Sequence, residues 1–337
     1  MQPRNTLFLL LPALLLGQQD VTFRSETRVF NLDVLVEDTK TRKPVETLRA
    51  ENFRVKLDGR SRTPQYFSQG SSERRPLALL IYFNLAPDGA LRQLANETAQ
   101  ASFAAAMAQL RPMDEAAVYA SRDWFVGKPE AVTPLTQDRE ALSRALATAL
   151  QYAADTTEAE RRADRASRTP SMENVVREAT DIARQKPQFH TAVVYISDGM
   201  NTLDTIEGRS RREIEDRLLA EGISFSALNV DMLGSYAAAA AVLNPIGLAF
   251  GMKVTGATKS FAAATGGLSR QVESPALLGA ALAEIVSAYA SRYSLGFTLS
   301  EAEFTDGKQH KLEIKLEGGE AKTLRLVAPK RFRAPAR

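Results

Sequence analysis

The sequence predicts an α/β fold: a doubly wound, mostly parallel sheet, flanked by an antiparallel β unit built from the N- and C-terminal strands. Short apolar runs alternate with helical patterns through the middle of the chain, as in βαβ crossovers. Both ends instead alternate apolar and polar residues around Asp-Gly or Gly-Gly turns. The 337 residues are 44% hydrophobic and include no cysteine, so the fold must be stable through packing alone.

The first residues are typical of an export signal. Arg4 precedes the apolar run at residues 7–16, and the polar residues 17–20 follow it. Signal peptides contain apolar runs of about 7–15 residues, whereas a bilayer span needs about 20. We therefore expect a signal peptide over residues 1–19, export to the periplasm or the exterior, and no transmembrane span in the mature chain. A buried N-terminal helix is the alternative.

An N-terminal β segment is predicted over residues 20–75. Residues 29–36 alternate apolar and polar side chains, as in a half-buried strand, and residues 53–57 alternate again. Asp58-Gly59 follows, a dipeptide favoured in tight hairpin turns because glycine accepts positive φ.

Residues 76–292 are predicted to form the α/β domain. Three apolar runs suit parallel strands that are buried on both faces, at residues 77–83, 191–197 and 223–229. Apolar residues at helical spacing lie between and after these runs. The expected helices are near residues 89–110, 138–152, 171–186, 210–221, 260–265 and 275–291.

A C-terminal β segment is predicted over residues 293–330, with strands at 293–299, 310–316 and 322–327. Turns are expected at Asp306-Gly307 and Gly318-Gly319. We expect this segment to pack with the N-terminal one, since neither alone has much core. A basic cluster closes the chain and is interpreted as a solvated end, formed by Lys330, Arg331, Arg333 and Arg337.

Short motifs in a fixed order carry a family resemblance. They are Leu32-Asp33-Val34-Leu35-Val36-Glu37-Asp38, Leu48-x-x-x-Asn52-Phe53, Asp58-Gly59, Ile196-Ser197-Asp198-Gly199, Thr265-Gly266-Gly267, Tyr293-x-Leu295-Gly296 and Asp306-Gly307-Lys308-x-His310-Lys311-Leu312. The order of elements over residues 76–292 resembles a von Willebrand factor A (vWA) domain. The motifs resemble one bacterial subgroup, the VWFA-related domain proteins abundant in Acidobacteria. The resemblance covers almost all of the mature chain and implies a vWA or Rossmann-like sheet.

The resemblance also implies a metal-ion-dependent adhesion site, which begins with Asp-x-Ser-x-Ser after the first strand of the domain. At that point the chain has Tyr82 in place of the acid, Asn84 in place of the first serine and Ala86 in place of the second. Thr169 matches a later threonine, and Asp198 matches an acid at a strand end.

Magnesium prefers several charged oxygen ligands, and this motif retains a single acid. We therefore expect a degenerate site without metal, and no cofactor. The alternative is a Mg²⁺ ion held by Asn84, Thr169 and Asp198, with Asp88 as a replacement acid.

Without a metal, the same edge of the sheet is expected to be a protein-binding face, because open α/β sheets bind ligands at the carboxyl ends of their strands. The residues expected to meet there are Asn84, Asp88, Thr169, Asp198 and Asn201.

Enzymatic activity is not expected, and no catalytic residue is assigned. The only histidines are His190, interpreted as a helix-to-strand junction residue, and His310. The chain lacks the nucleophile-elbow, zinc-helix, Walker A and dinucleotide-binding motifs. Its interspersed charges, with a net of +3, do not predict nucleic-acid binding.

The function expected from the sequence is therefore an exported, non-enzymatic protein-binding module. Two alternatives stay open. One is an envelope hydrolase whose site escapes these motifs. The other is a membrane-surface protein that uses the uncharged residues 233–252, which include five consecutive alanines, as its contact.

Overall fold

The computed structural model describes residues 28–69, 74–85, 91, 94–121, 129–167, 171–197, 208–230, 256–273, 277–300, 303 and 305–334. The predicted signal peptide and the segment 233–252 lie outside these residues. None of the helices in the described ranges has the length and hydrophobicity needed to span a bilayer.

The described strands form one six-stranded and two four-stranded sheets. They are β1 (Arg28–Asp38), β2 (Phe53–Leu57), β3 (Arg60–Arg62), β4 (Tyr66–Ser68), β5 (Leu77–Asn84), β6 (Glu115–Ala120), β7 (Glu130–Thr136), β8 (His190–Ser197), β9 (Ser224–Val230), β10 (Ser269–Val272), β11 (Tyr293–Leu299), β12 (Gln309–Leu316), β13 (Leu324–Val327) and β14 (Arg331–Arg333). The α-helices are α1 (Glu97–Met107), α2 (Arg139–Asp155), α3 (Glu158–Ser167), α4 (Ser171–Gln185), α5 (Gly208–Ala220), α6 (Gly256–Thr265) and α7 (Leu278–Ala290).

The six-stranded sheet has the order β10-β9-β8-β5-β6-β7 and is parallel except for β7. Every residue of β5, β8 and β9 is buried, as expected for central strands covered on both faces. Helices α1, α2 and α7 cover one face, and α4, α5 and α6 cover the other. The predicted α/β class, with helices on both faces of a mostly parallel sheet, is confirmed.

Helix α1 begins later than its apolar spacing predicted. Residue 91 is helical but residues 94–96 are not, so the single helix predicted over residues 89–110 is interrupted and α1 begins at Glu97. Asn96 sets the true start, because its side chain accepts a hydrogen bond from the amide of Ala99 at 2.9 Å. An N-cap residue has a non-helical backbone conformation, so a side chain that caps the first turn ends the helix on its N-terminal side.

Strands from the two ends of the chain pair with each other in antiparallel sheets. The seven residue pairs between β1 and β11 run from Arg28–Leu299 to Val34–Tyr293, and β12 pairs with β2. The sheet orders are β13-β1-β11-β4 and β14-β12-β2-β3, and the two sheets share one hydrophobic core. The C-terminal strands β11, β12 and β13 therefore pair with N-terminal strands and not with one another.

Within the described part of the chain, the basic end is not a free solvated tail, and that interpretation is wrong for Arg331 and Arg333. Both lie in β14, which pairs with β12. Arg331 forms an ion pair with Glu215 of α5, and Arg333 bonds Asp216 at 2.5 Å. Acids on the neighbouring helix thus hold these guanidinium groups against the α/β domain.

Candidate functional site

The carboxyl edge of the six-stranded sheet is the site predicted from the sequence. Strands β5, β6, β8 and β9 all end at this edge, because they are parallel. Of the five residues predicted to form the binding face, Asn84 is described, and it lies at the end of β5. The other four residues lie outside the described part of the chain: Asp88, Thr169, Asp198 and Asn201.

A row of buried polar side chains crosses this edge. Asn84, Ser197 and Asn229 are register neighbours on three adjacent strands, and each is at most 5% exposed. The Ser197 hydroxyl donates a hydrogen bond to Asn229 Oδ1 at 3.1 Å, and the Asn84 amide donates one to the Tyr195 hydroxyl. Sequence reasoning did not assign Ser197 and Asn229 to the face, although both belong to predicted strands at this edge.

Tyr82 fills the position where a metal-binding acid is expected. Its ring is buried and stacks on Tyr119, with the ring centres 4.4 Å apart. Burial raises the pKa of the Tyr82 hydroxyl well above its usual value, with smaller contributions from Tyr119 and then Glu178, so the group is neutral at physiological pH. Tyr82, Asn84, Ser197 and Asn229 offer neutral oxygens, which do not fit the charged ligand set that magnesium prefers.

A second polar network lies at the opposite, amino edge, where β1 meets the α/β domain. His190 begins β8, and its Nδ1 bonds the Asp33 carboxylate of β1. Its Nε2 lies 3.1 Å from the Ser224 hydroxyl at the start of β9. Arg75 reaches the same carboxylate at 3.2 Å, and the Ser294 hydroxyl donates to it.

The charge state of this network follows from burial and pairing. Burial alone would raise the pKa of Asp33, but the contacts with His190 and Arg75 outweigh it and hold the pKa well below its usual range. Burial lowers the pKa of His190 and outweighs the opposing effect of Asp33. We assign a neutral His190 that donates Nδ1–H to Asp33 and accepts the Ser224 proton at Nε2, since this tautomer satisfies both contacts.

A cleft of about 490 Å³ opens beside this network, between β1, β14 and the α/β domain. Asp33, His190 and Ser224 line it together with aromatic side chains that include Phe189 and Phe332. Sequence analysis missed Asp33 and Ser224, because Asp33 and His190 are 157 residues apart and no short motif joins them.

Comparisons with known proteins add little to this geometry. No protein-family model matches the chain, and no curated protein matches it. The crystal structure of the TFIIH p34 N-terminal domain is 12% identical, with 62% of this chain and 96% of that chain covered and a TM-score of 0.39. The crystal structure of manganese-loaded Plasmodium vivax TRAP protein is 10% identical, with 79% and 96% covered and a TM-score of 0.37.

Proposed function

We propose that the chain is an exported protein-binding module of the vWA type, without enzymatic activity, that recognises its partner at the carboxyl edge of the six-stranded sheet. The observation that carries the proposal is the row of Asn84, Ser197 and Asn229 at that edge. Open α/β sheets bind ligands there. Because the row is buried and bonded within the protein, it fixes the shape of the edge and does not itself contact a partner. It is also neutral, which suits a protein-binding edge better than a site that requires acid–base chemistry.

Recognition without a metal is part of this proposal. Neutral Tyr82 stands where the acid of an adhesion site belongs, and Asp198 is the one remaining acid of the motif. Export is also part of it and rests on the signal-like residues 1–19. The absence of cysteine removes any dependence on disulfide formation in an oxidising compartment.

The test is a pull-down from envelope extract with the double variant Asn84→Ala/Asp198→Ala. We expect partner capture to fall at least about tenfold, because Asn84→Ala removes a buried hydrogen bond that fixes the shape of the edge and Asp198→Ala removes the acid expected there. Capture by the unmodified protein should be equal with Mg²⁺ and with a chelator. Circular dichroism checks that the variant is folded.

The matched control is Gln151→Ala/Asp155→Ala, which removes an amide and a carboxylate that bond each other at 2.7 Å on the surface of α2. This control should capture as much partner as the unmodified protein. Unchanged capture by the Asn84→Ala/Asp198→Ala variant would move the binding face elsewhere, and capture that disappears with chelator would show that a metal takes part.

A hydrolase is the second candidate, and one observation favours it. Ser224, His190 and Asp33 follow the order of a Ser-His-Asp triad, in which the acid holds Nδ1 and the hydroxyl meets Nε2. We favour a structural role, because Ser224 is 4% exposed at the start of a central strand, where a substrate carbonyl has little access.

A fluorophosphonate probe separates the two roles, because it labels activated serines. We expect no label on Ser224 by peptide mass spectrometry. Labelling of Ser224 that is lost in His190→Gln would contradict the non-enzymatic proposal.

A further inference from the structure

Strand β1 has one edge that is paired along only part of its length. On one side, β11 pairs with residues 28–34; on the other side, β13 pairs only with residues 35–38. The chain then leaves β1, because Pro329 bridges to Thr265 of the α/β domain. Among the described residues, no strand pairs with the second edge of residues 28–34.

The direction of the main-chain groups on this edge follows from neighbouring hydrogen bonds. Val36 O accepts a bond from Val45 N at 2.8 Å, on the side away from β13. Successive residues of a strand direct their N–H and C=O groups to alternate edges. Even-numbered residues of β1 therefore face β11, and Val29, Asn31 and Asp33 direct their main-chain groups to the open edge.

These three residues line the 490 Å³ cleft. Other lining residues come from the segment before β8 and from the end of α5, and they include Pro187, Phe189 and Leu219. Strand β14 also lines the cleft through Phe332, which packs on Phe30 with ring centres 4.4 Å apart. The volume lies within the range of peptide and small-ligand sites, about 300–1,000 Å³.

The cleft has no unpaired charge to attract a charged ligand, because every charged side chain among its described lining residues pairs with a residue of opposite charge. The pairs are Asp33–Arg75, Arg184–Glu221, Arg331–Glu215 and Arg333–Asp216. The edge itself lacks the usual protection of strand edges, since residues 29–32 include no lysine or proline and Val29 is 38% exposed.

We propose that this cleft binds an extended, uncharged peptide segment of another protein, which adds to β1 as a strand. Val29, Asn31 and Asp33 each supply one main-chain donor and one acceptor, the means by which β-addition sites hold peptides. Phe189 and Leu219, which also line the cleft, would contact apolar side chains of the segment. This site is distinct from the carboxyl-edge face, which lies at the other end of the sheet.

The probe is a fluorescent peptide of sequence Thr-Val-Thr-Val-Thr with blocked ends, chosen for strand propensity and absence of charge. We expect saturable binding by fluorescence anisotropy that changes little with salt, together with slower hydrogen exchange at the amides of residues 29, 31 and 33. Methylating the main-chain amide of the central threonine of the probe should weaken binding by about tenfold, because it removes a donor and obstructs the ladder.

Asn31→Pro tests the same contact from the protein side. Proline lacks the N–H that faces the open edge, and the ladder with β11 does not use that N–H. Binding should fall about tenfold in Asn31→Pro, whereas the matched Asn31→Ala keeps the N–H and should bind like the unmodified protein.

Two outcomes would overturn the proposal: equal binding of the methylated and unmethylated probes, or a dimer that Asn31→Pro dissolves while the probe does not bind. The second outcome would assign the edge to another copy of this chain. Asn84→Ala/Asp198→Ala should bind the probe normally, so failure of this proposal and failure of the carboxyl-edge proposal are distinguishable.

Discussion

Asp114→Ala is expected to lower the free energy of unfolding by about 3–5 kcal/mol, the cost of leaving one partner of a buried ion pair uncompensated. The Asp114 carboxylate accepts hydrogen bonds from both terminal nitrogens of Arg74, at 3.0 and 2.7 Å. It also accepts the amides of Leu77 at 2.9 Å and Arg111 at 2.8 Å. The exposed fractions of the Asp114 and Arg74 side chains are 0% and 6%. Denaturant unfolding measures the loss.

The control is Glu140→Ala, which removes a pair with Arg144 whose side chains are 77% and 62% exposed. An exposed pair contributes at most about 1 kcal/mol, so this variant should be nearly as stable as the unmodified protein. Similar losses in the two variants would contradict the assignment of Asp114 as a buried anchor.

The contribution of Asp114 also has a defined pH dependence. Burial alone would raise the pKa of Asp114, but the hydrogen bonds from Arg74 and from the main chain outweigh it and lower the pKa. Because the pKa of Asp114 is lower in the folded than in the unfolded chain, the carboxylate stabilises the fold at pH values above its unfolded pKa of about 4. This stabilisation is lost as the pH falls through the pKa of the folded state. The stability difference between Asp114→Ala and the unmodified protein should therefore shrink below about pH 4.

The central strands were predictable from the sequence because burial on both faces leaves a continuous apolar run. β8 was expected at residues 191–197 and begins one residue earlier, at His190. The antiparallel edge strand β7 was not predicted. It is only partly buried and includes Pro134, so neither a continuous apolar run nor a regular alternation marks it.

The sequence predicted that the terminal strands exist, but it did not predict which strands pair with each other. The pattern at residues 293–299 predicted β11 with its observed bounds. It did not predict β1 as the partner, because the register that joins Arg28 to Leu299 is decided by side-chain packing between distant segments. The same limit applies to the sites. Asn84 ends a strand and was predictable, whereas the contact between Asp33 and His190 exists only once β1 has packed against the six-stranded sheet.

Gly267→Ala is expected to destabilise the protein by about 3–5 kcal/mol or to prevent folding, because the obstacle to a side chain is main chain. A Cβ at Gly267 would lie 1.9 Å from the carbonyl oxygen of Phe225, in central strand β9. No rotamer change relieves that overlap, so β9 or the turn after α6 must move.

The control is Gly222→Ala. Gly222 has a φ of +63°, and no heavy atom lies within 4 Å of the position that a Cβ would take. The free energy of unfolding of the control should therefore fall only by the cost of placing alanine in the left-handed region, about 1–2 kcal/mol. Both free energies come from denaturant unfolding, and equal losses would show that the turn gives way without straining the sheet.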